Sequence, residues 1–361
     1  MMKQLEAPPT SAFSALLQGL IKPSLISLIV TCIAVITLIG TFLSFSKPAF
    51  IANHAETLAD YNGDDDMHIT STVLKLQLEK SPPPSVYMIG DSALREVILE
   101  DDLAFQLKQS PQNLRIIELF SNAQTLLESL AIIDNIRDDA HGLIVLGVSP
   151  RGLTLSKSDY ISAASGERRG FTSTALTEFL LKKGHESYRV TNIHGLDNLN
   201  FLLPRYVKHI LTIDKKKIER ENHRFKTSDP MSPEKLAISA KRYLKYISKS
   251  KTKYDSKASS GIAVLNTISE TIRQKKYLKL LLVEKPLNPN FTHTYLEQSF
   301  INFHRGLLEK LTNQTGADYL VPTDSFEYDP LDFADLVHVT GGSTSKQYTN
   351  LLTQTILKEY K

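Results

Sequence analysis

The chain has 361 residues, enough for one large domain or two small ones. A hydrophobic content of 42% with 22% charged residues is typical of a globular protein and excludes a disordered one. The net charge of +3 is too small to predict a nucleic-acid binder, and the single cysteine, Cys32, excludes an intrachain disulfide and a thiolate metal site.

The first predicted element is a transmembrane helix at residues 24–46, which carry no charge and are numerous enough to cross a bilayer. The alternatives are a buried core helix and a cleavable signal peptide, but the apolar run is long for a signal and no clear cleavage site follows it. Lys3 and Lys22 precede the span, and several acidic residues follow it. The positive-inside rule therefore favours a cytoplasmic segment at residues 1–23 and an extracytoplasmic remainder.

We predict that residues 47–84 form a stalk between the membrane span and the main domain. Within it, Asp64-Asp65-Asp66 is a candidate cation site, but no Glu closes it at the spacing of a calcium loop. A solvated acidic turn is the favoured interpretation.

Residues 85–361 predict an α/β domain. Apolar runs interrupted by helical patterns indicate βαβ units and a parallel sheet. A basic, mostly helical insertion spans about 153–275, and it reads either as solvated amphipathic helices or as a surface for anionic lipid or polymer. The five predicted strands are 86–89, 114–120, 143–148, 278–283 and 318–321.

The turn Gly90-Asp91-Ser92 follows the first strand, and a helical pattern begins at Ala93. Open α/β sheets bind ligands at the carboxyl ends of their strands, which makes Ser92 a candidate nucleophile. The simpler interpretation is that Ser92 only caps the helix.

The pair Asp335-x-x-His338 lies after the last strand and before the terminal helix. A serine hydroxyl is a poor nucleophile unless a base accepts its proton, and that base needs a group to orient it. We therefore predict Ser92 as nucleophile, His338 as general base and then general acid, and Asp335 as the group that orients His338.

These motifs resemble those of the SGNH hydrolases, the GDSL-type esterase superfamily, over about residues 85–150 and 278–360. The resemblance implies a flavodoxin-like three-layer α/β/α domain with a five-stranded parallel sheet. It also implies that the oxyanion is held by the N–H groups of Ser92 and Ala123, together with Ser149. Two positions depart from the family pattern, since Ala123 stands in place of a Gly and Ser149 in place of an Asn.

The amino-terminal anchor and Ser149-Pro150 are similar to features of membrane-anchored DltD-like acyltransferases within that superfamily. This likeness implies O-acyl transfer through an acyl-Ser92 intermediate to a cell-envelope glycopolymer or lipid-linked acceptor, in the periplasm or at the cell surface. It implies that membrane lipid and a membrane-bound O-acyltransferase are partners of the protein. We expect no nucleic-acid partner, no metal and no cofactor. The alternatives are an extracytoplasmic carboxylesterase or lipase-like hydrolase with the same triad, and a catalytically silent envelope-binding scaffold.

Overall fold

The computed structural model describes residues 24–45, 47–62, 64–185, 194–211, 229–248 and 250–360. Five strands form one sheet: β1 (Ser85–Gly90), β2 (Arg115–Phe120), β3 (Gly142–Val148), β4 (Leu278–Glu284) and β5 (Asp318–Leu320). The α-helices are α1 (Leu25–Phe45), α2 (Pro48–Asn62), α3 (Asp65–Leu78), α4 (Ser92–Val97), α5 (Glu100–Lys108), α6 (Leu126–Asp134), α7 (Lys157–Ser165), α8 (Thr174–Lys182), α9 (His194–Leu211), α10 (Pro233–Ile247), α11 (Lys251–Gln274), α12 (Pro289–Tyr295), α13 (Gln298–Thr315) and α14 (Gly342–Glu359).

The sheet is entirely parallel, and its strand order is β2-β1-β3-β4-β5. This is the order of flavodoxin-like doubly wound sheets, whose ligand site lies where successive connections leave in opposite directions. Here β2 lies on one side of β1 and β3 on the other, so the switch point is at the carboxyl end of β1. The predicted α/β class and parallel sheet are confirmed.

Helices cover both faces of the sheet, which makes three layers. Along β1 the side chains alternate, so that Tyr87 and Ile89 join one apolar cluster while Val86 and Met88 join the other. The larger cluster packs beneath α2, α3, α6 and α11, and the smaller beneath α4, α5 and α14. Burial on both faces explains why the strands read as continuous apolar runs.

The region expected to be a stalk is part of the folded domain. Helices α2 and α3 pack on each other, and α3 also packs against β2. Their side chains Ile51, Leu58, Met67 and Ile69 are fully buried in the larger cluster. The interpretation of residues 47–84 as a stalk is therefore corrected, because both helices within that range belong to the folded domain. Charged residues scattered among the apolar ones concealed this buried face in the sequence.

Helix α1 occupies most of the segment for which we predicted a membrane span, and its apolar side chains are largely exposed. Among the described residues, no helix meets the combined length and hydropathy required of a membrane span. The predicted transmembrane helix at residues 24–46 is thus not confirmed.

The insertion is helical where it is described. In α10, Leu236, Ala240, Tyr243 and Ile247 are buried, while the basic residues of the helix are exposed. This pattern matches the solvated amphipathic interpretation for that part. The first basic cluster, from Lys215 to Lys226, lies outside the described residues, and binding of anionic partners stays a prediction.

Candidate active site

Ser92 lies at the junction predicted for it. Strand β1 ends at Gly90, and the side chain of Asp91 caps α4 by accepting a hydrogen bond from the Ala93 N–H at 3.1 Å. Ser92 is the first residue of that helix. Its side chain therefore stands at the switch point of the sheet, where the polar ends of several loops meet.

The structure brings the three predicted catalytic residues together. The Ser92 Oγ lies 2.8 Å from the Nε2 of His338, and the His338 Nδ1 lies 2.7 Å from the Oδ2 of Asp335. Ser92 and His338 are 246 positions apart in the chain, so this contact is made by the fold and not by local sequence. The order hydroxyl, imidazole, carboxylate is that of a serine nucleophile with an oriented base.

The loop that carries the base is held by its own hydrogen bonds. Phe333 and Val339 form an antiparallel bridge, and the Ala334 N–H donates to the His338 carbonyl at 3.0 Å. The Oδ1 of Asp335 accepts from the N–H groups of Val337 and His338, both at 2.8 Å. One carboxylate thus shapes the loop with one oxygen and orients the imidazole with the other.

Asp335 is ionised at neutral pH. Its burial by itself raises the pKa of the carboxyl, but the hydrogen bond and charge of His338 and the two backbone N–H donors outweigh that effect, so the pKa lies below its ordinary value of 3.8. An ionised Asp335 accepts the Nδ1 proton of His338 and leaves Nε2 free to accept the Ser92 proton.

The predicted oxyanion donors line the same cavity as the triad. Ala123 has a left-handed backbone with φ +53°, the conformation that a Gly would adopt more readily. No group in the described part of the chain accepts a hydrogen bond from the N–H of Ser92 or of Ala123. Ser149 is 5% exposed and its Oγ accepts from the Gly152 N–H at 3.2 Å, which leaves its own proton available.

The cavity has a volume of about 490 Å³ and is bordered on one side by α10 of the insertion. Ser239, Arg242 and Tyr246 of that helix line it, and the Arg151 guanidinium lies over the Tyr246 ring at 4.6 Å from its centroid. Sequence reasoning missed these residues. Arg151 could have been predicted, because it follows the end of β3 closely. The sequence around Arg242 does not indicate that this residue reaches the site.

Lys285 is a further site residue that was not predicted from the sequence. It follows β4, its side chain is 7% exposed, and its Nζ donates to the carboxylate of Asp91. The Lys285 stem crosses Gly147, where an added Cβ would lie only 3.1 Å from it. The Asp91–Lys285 ion pair thus joins the turn that carries Ser92 to the end of β4, across the intervening strand β3.

Comparison of the sequence with models of protein families gives no match, and comparison with curated proteins gives none either. Within the described residues, no group of three or more His, Cys, Asp or Glu side chains is arranged to hold a metal ion. The geometry of the site therefore carries the functional argument.

Proposed function

We propose that this protein is a serine-dependent acyltransferase that passes an acyl group through Ser92 to a hydroxyl of a cell-envelope acceptor. The observation that carries the proposal is the continuous chain from the Ser92 Oγ through His338 to Asp335, with separations of 2.8 and 2.7 Å. A helix-capping serine needs no such partners, since Asp91 already caps α4. The resemblance to SGNH enzymes described above supports the same chemistry.

The reaction begins when the Ser92 Oγ attacks the carbonyl of the acyl donor while the His338 Nε2 takes the hydroxyl proton. The resulting oxyanion is held by the N–H groups of Ser92 and Ala123 and by the Ser149 hydroxyl. Collapse breaks the bond to the leaving group, which receives the proton from His338 and leaves an ester on Ser92. An acceptor hydroxyl then gives its proton to His338, attacks the ester and releases Ser92, which is reprotonated.

The charges of the cavity favour an acceptor or donor that carries a negative group. Three carboxylates line the cavity, and each has an internal partner: Asp91 with Lys285, Asp335 with His338, and Asp159 with Ser156. In contrast, no carboxylate of the described chain forms an ion pair with the two arginines of the cavity, Arg151 and Arg242. Free guanidinium groups suit phosphate or carboxylate oxygens.

The proposed setting is the outer side of a cell membrane, beside a membrane-bound O-acyltransferase. It rests on the uncharged sequence at residues 24–46, on the flanking charges and on the likeness to DltD-like proteins. A site close to a membrane meets lipid-linked acceptors at high local concentration.

The decisive test of the nucleophile is labelling of the full chain with a fluorophosphonate probe, which reacts with activated serines. We expect wild-type protein to be labelled and Ser92→Ala to be unlabelled. Ser158→Ala is the matched control, because Ser158 is an exposed serine of the same cavity without a base beside it. Equal labelling of wild type and Ser92→Ala would refute the proposal.

A second test separates transfer from hydrolysis. The purified chain is given an activated ester with and without a polyol phosphate, and the acylated acceptor and the free acid are both quantified. We expect the acceptor to capture most of the acyl group, and Arg242→Ala to shift the partition towards the free acid. Release of free acid alone, whatever the acceptor concentration, would identify a hydrolase.

A further inference from the structure

We propose that a partly buried ion network acts as a positioning device for the oxyanion turn 121–123, an inference that rests on the proposed acyl chemistry of Ser92. The network joins helix α3, helix α4 and the loop before α8. We call it the clamp, and its members are Asp65, Asp66, Arg95, Arg168 and Arg169.

The oxyanion turn needs support because the sheet does not extend to it. The last ladder contacts of β2 are made by Phe120, and beyond it the Ser121 N–H donates to the Gly90 carbonyl at 3.2 Å. Ala123 then takes a left-handed conformation, which is unfavourable for a residue with a Cβ. An unsupported turn would relax and move the Ala123 N–H away from the oxyanion position.

The first arm of the clamp starts from Asp65. Its Oδ2 accepts the Asn122 N–H at 3.2 Å and a guanidinium proton of Arg95 at 3.0 Å, and Arg95 donates in turn to the Asn122 Oδ1 at 3.3 Å. Arg95 lies one helical turn after Ser92 on α4. This arm therefore connects the residue before the oxyanion donor to the helix that carries the nucleophile.

The second arm starts from Asp66, whose carboxylate binds two guanidinium groups. Its Oδ1 accepts from Arg168 at 3.0 Å and from Arg169 at 2.6 Å. Arg168 also donates to the Asn122 carbonyl at 2.8 Å, and Arg169 donates to the Ser121 Oγ at 3.0 Å. Backbone and side chain of the oxyanion turn are thus both held by arginines that Asp66 orients.

The electrostatics fit a permanent ionic clamp. Burial raises the pKa of Asp66, but the charges and hydrogen bonds of Arg169 and Arg168 outweigh this, and the pKa lies below its ordinary value of 3.8. Hydrogen bonds between charged groups are about twice as strong as neutral ones, and removal of one partner of a buried pair leaves a buried charge uncompensated.

A purely structural ion pair at the other end of the sheet provides the control. Glu79 and Arg115 form a bidentate ion pair. Arg115 is paired with Ser85, the first residue of β1. Like Asp66, Glu79 loses one negative charge when it is replaced by its amide. Glu79→Gln therefore reproduces the electrostatic change of Asp66→Asn far from the oxyanion turn.

The test uses the full chain and phenylboronic acid, which adds to an activated serine and places an oxygen at the oxyanion position. Its inhibition constant is measured by competition with fluorophosphonate labelling. We expect Asp66→Asn to weaken boronate inhibition about tenfold or more, because it displaces the Ala123 N–H, whereas complete loss of one oxyanion donor costs about 10²–10³. We expect both Asp66→Asn and Glu79→Gln to lower the melting temperature of the protein. Glu79→Gln should nevertheless leave the inhibition constant within twofold of the wild-type value.

Arg168→Lys is the second variant, since it keeps the charge and loses the fork that holds both Asp66 and the Asn122 carbonyl. We expect a smaller loss of boronate affinity than in Asp66→Asn, in protein that is folded by circular dichroism. Unchanged inhibition in both clamp variants, or an equal loss in Glu79→Gln, would overturn the positioning role. Failure of wild-type protein to be labelled at Ser92 would instead overturn the proposed function.

Discussion

Replacing Asp335 by Asn tests whether the carboxylate orients the base or only shapes its loop. The amide has the same shape, and its oxygen can keep the two contacts that Asp335 Oδ1 makes with the Val337 and His338 N–H groups at 2.8 Å. The amide nitrogen then occupies the position of Oδ2, which lies 2.7 Å from the His338 Nδ1. At that distance two N–H donors cannot face each other.

The imidazole must therefore carry its proton on Nε2, the nitrogen that lies 2.8 Å from the Ser92 Oγ. In that tautomer the base has no lone pair to accept the serine proton. Loss of the orienting carboxylate in a serine triad costs about 10⁴ in rate through the wrong tautomer. At about 1.4 kcal/mol for each factor of ten, this equals about 5 kcal/mol of transition-state stabilisation.

The assay is the second-order rate constant of fluorophosphonate labelling at Ser92, measured with a thermal melt of the same sample. We expect Asp335→Asn to label about 10⁴-fold more slowly than wild type and to melt close to it. Asp335→Ala should label slowly and also melt lower, because it removes all three hydrogen bonds of the carboxylate. A labelling rate for Asp335→Asn within tenfold of wild type would refute the assigned orientation.

Three further predictions concern Ser149, His304 and the amino-terminal segment. Ser149→Asn introduces the asparagine that SGNH hydrolases have at this position, and it should increase the rate of p-nitrophenyl ester hydrolysis about tenfold or more. Ser149→Ala should decrease that rate. A higher rate in Ser149→Ala than in wild type would exclude Ser149 as an oxyanion donor. Burial, with the charge of Arg305, lowers the pKa of His304 from 6.5 to about 3. The unfolded chain therefore binds the extra proton first, and stability falls as the pH decreases below about 6.5. Between pH 7 and 5, urea unfolding should reveal a loss about 2 kcal/mol smaller in His304→Gln than in wild type, and equal losses would exclude this histidine as the cause. A reporter fused after Lys361 should be active only outside the cytoplasm, and activity of a cytoplasm-only reporter there would exclude the proposed location.

The catalytic contacts were predictable because they follow strand ends. Strand β1 is buried on both faces, so it reads as an apolar run with a clear end just before Ser92, and His338 lies in the loop that follows the last strand, β5. The carboxyl ends of parallel strands share one edge, and this placed Ser92 near the loop of His338 without any contact information. The helical pattern that begins at Ala93 corresponds to two helices, α4 and α5, since Ile98 and Leu99 adopt extended conformations.

The ion network was not predictable in the same way. Asp66 reads as solvated because its neighbours are acidic, and its partners Arg168 and Arg169 lie more than 100 positions away. Apolar burial leaves a periodic pattern in sequence, whereas an ion pair between distant segments leaves none. The interpretation of Asp64-Asp65-Asp66 as a solvated turn was therefore wrong: Asp64 caps α3, and Asp65 and Asp66 bind arginines.

The clamp also gives a physical reason why Ala is tolerated at position 123. The left-handed backbone costs about 1–2 kcal/mol with a Cβ present, and a Gly would avoid this at the expense of a more flexible turn. Five hydrogen bonds with Asp65, Arg95, Arg168 and Arg169 already hold Ser121 and Asn122. Each hydrogen bond to a charged group contributes about 1.5–3 kcal/mol, so together they exceed the backbone cost of Ala123. A turn that is held by both arms of the clamp does not need a glycine. The methyl group of Ala123 also reduces the number of backbone conformations open to this residue, and so restricts the position of its N–H group.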